Sequence, residues 1–311
     1  MATPKPVRII VNPLSGLGQH RWFLENLVAQ LEIRRFPVEV QRIAGPGDGR
    51  RLAAATPDAT TCLVSIGGDG THREILSGLM GRQVPVCIVP SGTENVLAKT
   101  FGLVGTVKET VNLILAGRTV ELDIGMAGLK PFVMFSSIGY AAAVTRIVHT
   151  KRRGPHYRDS YYSTIGRLWW TYRFPRLNVA VDGRPVAEGA GLVLVANTPL
   201  YADRMRVCPH AVADDGLLDV ACFPTRTQWE LLGHFLRVKL RNHLEDRGVK
   251  YVRGKRIEVT SADRDVDIEA DGDWITTTPM IYTLRPRAVR MLVRPEVRQQ
   301  QRPTAAPVGV P

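Results

Sequence analysis

Residues 65–74 read Ser65-Ile66-Gly67-Gly68-Asp69-Gly70-Thr71-His72-Arg73-Glu74. An apolar run (Leu63, Val64, Ile66) leads in, as expected of a buried strand end. Ile75, Leu76, Leu79 and Met80 follow at three- and four-residue spacing, which suits one face of a helix. Glycines at such a strand-to-helix turn let backbone amides approach a polyanion, because no Cβ intervenes. Asp69 sets one carboxylate in the turn, where it can act on a metal, a nucleotide or a substrate hydroxyl. An ordinary glycine-rich turn also explains this stretch when it is taken alone.

Two further loops of the same kind change that balance. Val7–Val11 runs into Asn12-Pro13-Leu14-Ser15-Gly16, and Val84–Val89 runs into Pro90-Ser91-Gly92-Thr93-Glu94-Asn95. Asn, Ser and Thr side chains here can bond phosphate oxygens or fix the turns. Three polar, phosphate-sized loops are expected when parallel strands bring their carboxyl ends to one ligand crevice. The chain has neither GxxxxGK[ST] nor GxGxxG, so the P-loop and the dinucleotide-binding fingerprint do not apply.

Taken together, the Asn-Pro-x-Ser-Gly, GGDGTxxE and P-x-GTxN motifs resemble the catalytic domain of diacylglycerol kinase-type lipid kinases. That group includes diacylglycerol, phosphatidylglycerol, sphingosine and ceramide kinases. The resemblance continues to about Pro295, through Asp123-Ile124-Gly125, Phe135–Tyr140, Val195–Thr198, Ala213–Val220 and Asp271-Gly272-Asp273. GGDG alone is shared with NAD kinases and phosphofructokinases; the ensemble is far more specific.

The resemblance implies an ATP- and Mg2+-dependent lipid kinase. Asn12, Pro13, Ser15 and Gly16, with Gly67, Gly68, Gly70 and Thr71, and with Ser91, Gly92, Thr93 and Asn95, would form the nucleotide cradle. Glu74 would bind nucleotide or cap its own turn. Asp69, Asp123, Asp271 and Asp273 would line a cleft between two domains, with Asp69 and Asp271 both open as the general base. Asp271-Gly272-Asp273 reads equally well as a hairpin turn. A structural magnesium is implied at Asp215 with the carbonyls of Val212 and Leu217, where an Asp-Gly turn is the plainer reading. Three positions depart from the family pattern. Val96 stands where diacylglycerol kinases usually carry Asp, Asp273 where they carry Glu, and Ile43 where relatives often carry Thr. Other readings are a soluble NAD-kinase- or sugar-kinase-type enzyme, and a non-catalytic membrane- or nucleotide-binding relative.

Over residues 1–125, strand-like runs alternate with helical patterns, so a nucleotide-binding α/β domain with a mostly parallel sheet is expected. Over 126–295, short β-branched runs separated by Gly, Pro, Asp and Asn predict a β-rich, sandwich-like lipid-substrate domain. Helical insertions are expected near 160–172 and 227–241, and the last strand pair is a candidate to return to the first domain. Residues 296–311 are polar, Pro- and Gln-rich, and expected to be disordered.

The 311 residues suffice for two domains, and no apolar run nears the ~20 residues that span a bilayer. The N-terminus lacks a signal-like segment, and four scattered cysteines show no metal pattern, so a cytoplasmic location is expected. A net charge of +12 calls for an anionic partner. No nucleic-acid motif is present and no nucleic acid is expected; the kinase motifs favour an anionic membrane surface, bound peripherally at its inner face. Residues 146–176 interleave Arg146, Lys151, Arg152, Arg153 and Arg167 with Tyr157, Trp169 and Trp170, which suits a lipid headgroup region. A helix turning its aromatics inward is the plain alternative. Neither the lipid nor the oligomeric state is legible.

Overall fold

The computed structural model describes residues 5–16, 20–150, 157–202 and 205–294. The chain divides into two compact units, Met1–Ile124 with Pro286–Pro311, and Gly125–Arg285. The expected tail over 296–311 and the basic run Lys151-Arg152-Arg153 lie outside the described residues.

The first unit runs β1 (Val7–Val11), α1 (His20–Ile33), β2 (Val38–Arg42), α2 (Asp48–Ala54), β3 (Cys62–Gly67), α3 (Asp69–Leu79), β4 (Val86–Pro90), α4 (Val96–Thr100), α5 (Val107–Ala116) and the start of β5 (Thr119–Ala127). Its sheet has the order β2-β1-β3-β4, all parallel. Strands β1 and β3 are buried along their whole length, as a parallel sheet covered on both faces requires. Edge strand β2 instead exposes Glu39, Val40 and Arg42, and a charged edge resists further pairing. All-parallel pairing puts the carboxyl ends of β1, β3 and β4 on one side, and the three motif loops leave from those ends. The close of the chain adds a strand beside β4, with Met291 opposite Val86.

The second unit contains β6 (Lys130–Phe132), β7 (Phe135–Ile138), α6 (Tyr140–Thr150), α7 (Tyr157–Thr171), β8 (Leu177–Val181), β9 (Arg184–Ala190), β10 (Leu192–Ala196), β11 (Leu218–Phe223), α8 (Gln228–Lys239), β12 (Lys250–Gly254), β13 (Ile257–Ser261), β14 (Asp267–Ala270), β15 (Asp273–Thr277) and most of the first half of β16 (Met280–Leu292). A six-stranded antiparallel sheet, β12-β11-β10-β7-β14-β15, faces an antiparallel set in which β13 lies between β8 and β16. Between them sits a core of Phe132, Val179, Val195, Val220, Ile257, Val259, Ile268 and Tyr282. This is sandwich packing. Helix α6 lies over the outer side of the six-stranded sheet against β14 and β15, and seats Tyr140, Val144 and Val148 among Ile165, Leu168, Tyr172 and Phe174.

Three elements differ from the sequence reading. The β-branched stretch 131–138 forms two strands, and α6 follows it, outside the helical insertions expected near 160–172 and 227–241. Alanines 141–143 favour helix, and Gly139 ends the preceding strand rather than opening a loop. Helix α3 begins at Asp69 itself, so the GGDG motif is already its first turn.

Candidate active site

The three motif loops of the first unit are tied to one another by side chains. Asn12 Nδ2 donates to Thr71 Oγ1 at 2.9 Å, joining the first loop to the second. The Ser15 and Ser91 hydroxyls meet at 3.0 Å, joining the first to the third. The second and third meet through backbone, with Ser91 N donating to Gly67 O at 2.8 Å, and a Cβ on Gly92 would lie 2.7 Å from the Gly68 Cα. Asn95, at φ 50°, closes its own loop by accepting from Gly92 N (2.8 Å) and donating to Gly92 O (2.7 Å). At the rim, Pro13, Gly16, Gly70 and Thr93 are exposed. Within α3 the first backbone bond runs from His72 N to Gly68 O at 3.0 Å. Amides ahead of His72 therefore have no acceptor one helical turn back, and a helix start of this kind favours phosphate.

Asp69 has a structural duty as well as its place in the turn. Its carboxylate accepts from Val96 N (3.0 Å) and Leu97 N (3.1 Å), the opening amides of α4. Burial raises its pKa, while those two bonds and nearby Lys99 pull it back. Val96, standing in the position where Asp was expected, is a buried core side chain. Glu74 caps a helix, but not its own: it accepts from Gly47 N (3.0 Å) and Gly49 N (3.1 Å) at the start of α2. Asp123 is 1% exposed and its Oδ1 accepts from Arg287 N at 2.7 Å, where Arg287 holds φ 49° on the returning strand.

In the second unit, Asp271 (φ 48°) and Gly272 (φ 82°) form the tight turn between β14 and β15, with the left-handed pair that a two-residue hairpin needs. The buried Asp271 carboxylate accepts from Val133 N, Met134 N and Phe135 N at 2.7, 2.9 and 3.1 Å. Asp273 opens β15, half-buried. Two residues before the turn lies a carboxylate that sequence reasoning missed. Glu269 is 3% exposed and accepts from the hydroxyls of Ser137 (2.6 Å), Thr145 (2.7 Å) and Tyr201 (3.1 Å). Burial raises its pKa; the three hydroxyls oppose that rise. Ser137 and Tyr201 also line an apolar cavity of about 190 Å³, walled by β10 and α8 through Leu192, Leu194, Leu231 and Val238.

The expected magnesium ligands do not fit that ion as they are arranged. Asp215 Oδ1 accepts from Leu217 N at 3.0 Å, closing an Asx turn, and Oδ2 is ion-paired with the Arg253 guanidinium. Arg253 also reaches fully buried Asp219 at 3.3 Å, and Tyr251 donates to the same carboxylate. A permanent cation thus already serves both acids. Asp215 thus spends two acceptor sites, one of them on a guanidinium whose charge repels a second cation, and Val212 and Leu217 would add only neutral carbonyls. Among the described residues no cluster of three or more His, Cys, Asp or Glu is disposed to hold a metal. Asp215 and Asp271 are also separate: β11 and β14 have β10 and β7 between them.

Of the basic and aromatic residues in 146–176, Arg146 pairs with Asp267 at 3.1 Å, Tyr172 stacks edge-on against Tyr140 and Phe174, and Trp169 is half-buried. Trp170 is exposed.

Residues 6–127 match the diacylglycerol kinase catalytic domain, and residues 135–293 match the YegS C-terminal NAD kinase beta sandwich-like domain. The chain belongs to the diacylglycerol kinase-type family. Within that family, the diacylglycerol kinase of Mycobacterium tuberculosis is 28% identical over 295 residues, 92% of this chain and 94% of its own. That of Bacillus subtilis is 22% identical over 304 residues, covering 95% and 99%. A diacylglycerol kinase structure from Bacillus anthracis str. Sterne has a TM-score of 0.71 at 20% identity, covering 96% of this chain and all (100%) of that one. An NAD kinase from Archaeoglobus fulgidus in complex with ATP shares the fold at TM-score 0.54 and 14% identity, covering 94% and 96%. Membership makes this diacylglycerol kinase-type chain a kinase, hence a phosphotransferase, and the expected α/β unit followed by a β-sandwich is the fold it has.

Proposed function

We propose that this kinase moves the γ-phosphoryl group of ATP onto the hydroxyl of a lipid alcohol at the inner membrane face, with Mg2+ as the partner of the nucleotide. The observation that carries the donor side is the backbone contact of Gly68 with Gly92, which packs two phosphate-sized loops together at the start of α3. Asn12, Ser15, Thr71 and Ser91 hold those loops in register, so the amides ahead of His72 are positioned before the phosphates arrive. Pre-positioned donors of this kind supply most of what phosphoryl transfer asks of a protein. Magnesium, when bound, neutralises charge on the transferring phosphoryl oxygens.

Asp69 is our choice of general base. A carboxylate offers about four acceptor sites; Asp69 spends two on α4 and Asp271 spends three on buried amides. Burial moves Asp69 upward, towards the working range of a base that accepts a hydroxyl proton. Asp271 then orders the β14–β15 turn that carries Asp273, a side chain with one methylene less reach than a Glu.

The acceptor side rests on the apolar cavity of the second unit, whose size and lining suit part of an acyl chain rather than a sugar or a nicotinamide ribose. A charge of +12 suits an anionic surface, and four buried, unpaired cysteines suit a reducing cytoplasm. Among the described residues no helix is long and apolar enough to cross a membrane. The test is incubation with γ-labelled ATP and magnesium in parallel with diacylglycerol, a sphingoid base, phosphatidylglycerol, NAD and a hexose. Label entering a lipid supports the reading; label entering only NAD or the hexose overturns it.

A further inference from the structure

Helix α8 is apolar on two opposite sides. Leu231, His234 and Val238 turn inward to the cavity. Half a turn round, Trp229, Leu232, Leu236 and the C-cap residue Leu240 recur at three- and four-residue spacing, 70%, 36%, 50% and 72% exposed. A surface helix ordinarily puts polar residues on its outer face, and a contiguous apolar stripe in that place marks an interaction surface.

The charges around the stripe say what it meets. Arg237 and Lys239 lie on either flank of it around the helix, Arg237 paired with Asp246 at 3.6 Å, with Arg226 just before the helix and Arg241 just after. The acid within the helix, Glu230, is spent on its own capping box, where it accepts from Arg226 N and Thr227 N at 2.6 and 3.2 Å. Lys239 extends along the Phe235 ring at 5.7 Å. Trp229 meets Trp169 of α7 edge-on at 6.3 Å, and the neighbouring Trp170 is exposed. Apolar centre, basic flanks and tryptophans at the rim are the chemistry of a helix lying in the headgroup plane of an anionic bilayer.

We propose that α8 is the membrane-docking helix: Trp229, Leu236 and Leu240 enter the acyl boundary while Arg226, Lys239 and Arg241 meet headgroup phosphates. The choice of a bilayer as partner rests on the lipid-kinase reading above. The docking surface thereby centres on a helix outside residues 146–176, with Trp169 and Trp170 of that segment beside it.

The experiment is vesicle flotation of the full chain with phosphatidylcholine alone and with phosphatidylcholine containing phosphatidylglycerol. Three proteins are compared with wild type: Trp229→Ser/Leu236→Ser/Leu240→Ser, Arg226→Ser/Lys239→Ser/Arg241→Ser, and Lys151→Ser/Arg152→Ser/Arg153→Ser. The stripe variant should lose roughly tenfold or more in affinity for anionic vesicles, since binding scales with buried apolar area. The α8 charge variant should lose affinity for anionic vesicles only, and both should melt as wild type does. The proposal is overturned if wild type ignores anionic vesicles, if it is retained on DNA instead, or if only the 151–153 variant loses binding. Should the stripe variant melt early, the charge variant decides alone: unchanged anionic binding overturns the proposal. Vesicle binding without lipid phosphorylation by wild type would sink the kinase reading and leave the docking helix standing.

Discussion

Gly68 and Gly92 face each other across the junction of two loops, and a Cβ on Gly92 would lie 2.7 Å from the Gly68 Cα. Neither backbone can retreat freely, because Ser91 N is held by Gly67 O at 2.8 Å. Gly92→Ala should therefore push the third loop off the second, costing about 1–3 kcal/mol of stability as overpacking does. ATP affinity measured by calorimetry should fall with it. Gly70→Ala meets nothing within 4 Å and should fold as wild type does. Equal ATP affinity in Gly92→Ala and wild type would dissolve the cradle.

Asp69→Asn preserves size but turns one acceptor into a donor facing Val96 N or Leu97 N. It should lower stability by about 1–3 kcal/mol, the worth of a charge-assisted bond. Turnover should drop roughly 100-fold or more through loss of the base. A folded Asp69→Asn protein with near-normal turnover would remove Asp69 from the chemistry and leave it only as the cap of α4.

Glu269 gives the pH dependence a sign. Its pKa in the folded protein is raised above the ordinary 4.5 by burial. The folded state then holds the proton more tightly than the unfolded chain, so this group's stabilisation is full below the ordinary value and is lost as pH rises through the folded one. At neutral pH this group therefore contributes less stability than in acid. Glu269→Gln should melt above wild type at neutral pH, with the gap closing in acid. A lower melting temperature for Glu269→Gln at neutral pH would mean that the hydroxyls of Ser137, Thr145 and Tyr201 more than offset the burial.

Arg253 serves two acids, one of them fully buried. Arg253→Met should destabilise the second unit by about 3 kcal/mol, because Asp219 is left as an uncompensated buried charge. Wild-type melting without nucleotide should be indifferent to magnesium. A rise in melting temperature on adding magnesium, abolished by Asp215→Ala, would show the ion displacing the guanidinium.

What the sequence made legible was local. Strand ends, glycine turns and helix starts follow from residues within about ten positions, so the three loops and the alternation of strand and helix could be read directly. Long-range partners could not. Nothing near Glu74 says that its carboxylate reaches Gly47 and Gly49 across the sequence, and nothing near Asp69 says that it caps α4. Glu269 shows the same limit. Between Ile268 and Ala270 it reads as the solvent side of a strand, and only the unexpected helix α6, bringing Thr145, turns that side into an interior. On α8, the four-residue spacing was visible, but which of two apolar faces meets the core depends on the sheet beneath it.

If Asp69 and the three loops act as proposed, phosphoryl transfer from ATP is coupled to a lipid hydroxyl. Coupling is read by following ADP and lipid phosphate together, with purified wild-type protein, magnesium, ATP and diacylglycerol in mixed vesicles. Both products should rise in equal amounts, and omitting the lipid should leave ADP near background. ADP formed without lipid phosphate, or neither product with diacylglycerol, a sphingoid base or phosphatidylglycerol, would refute the coupling.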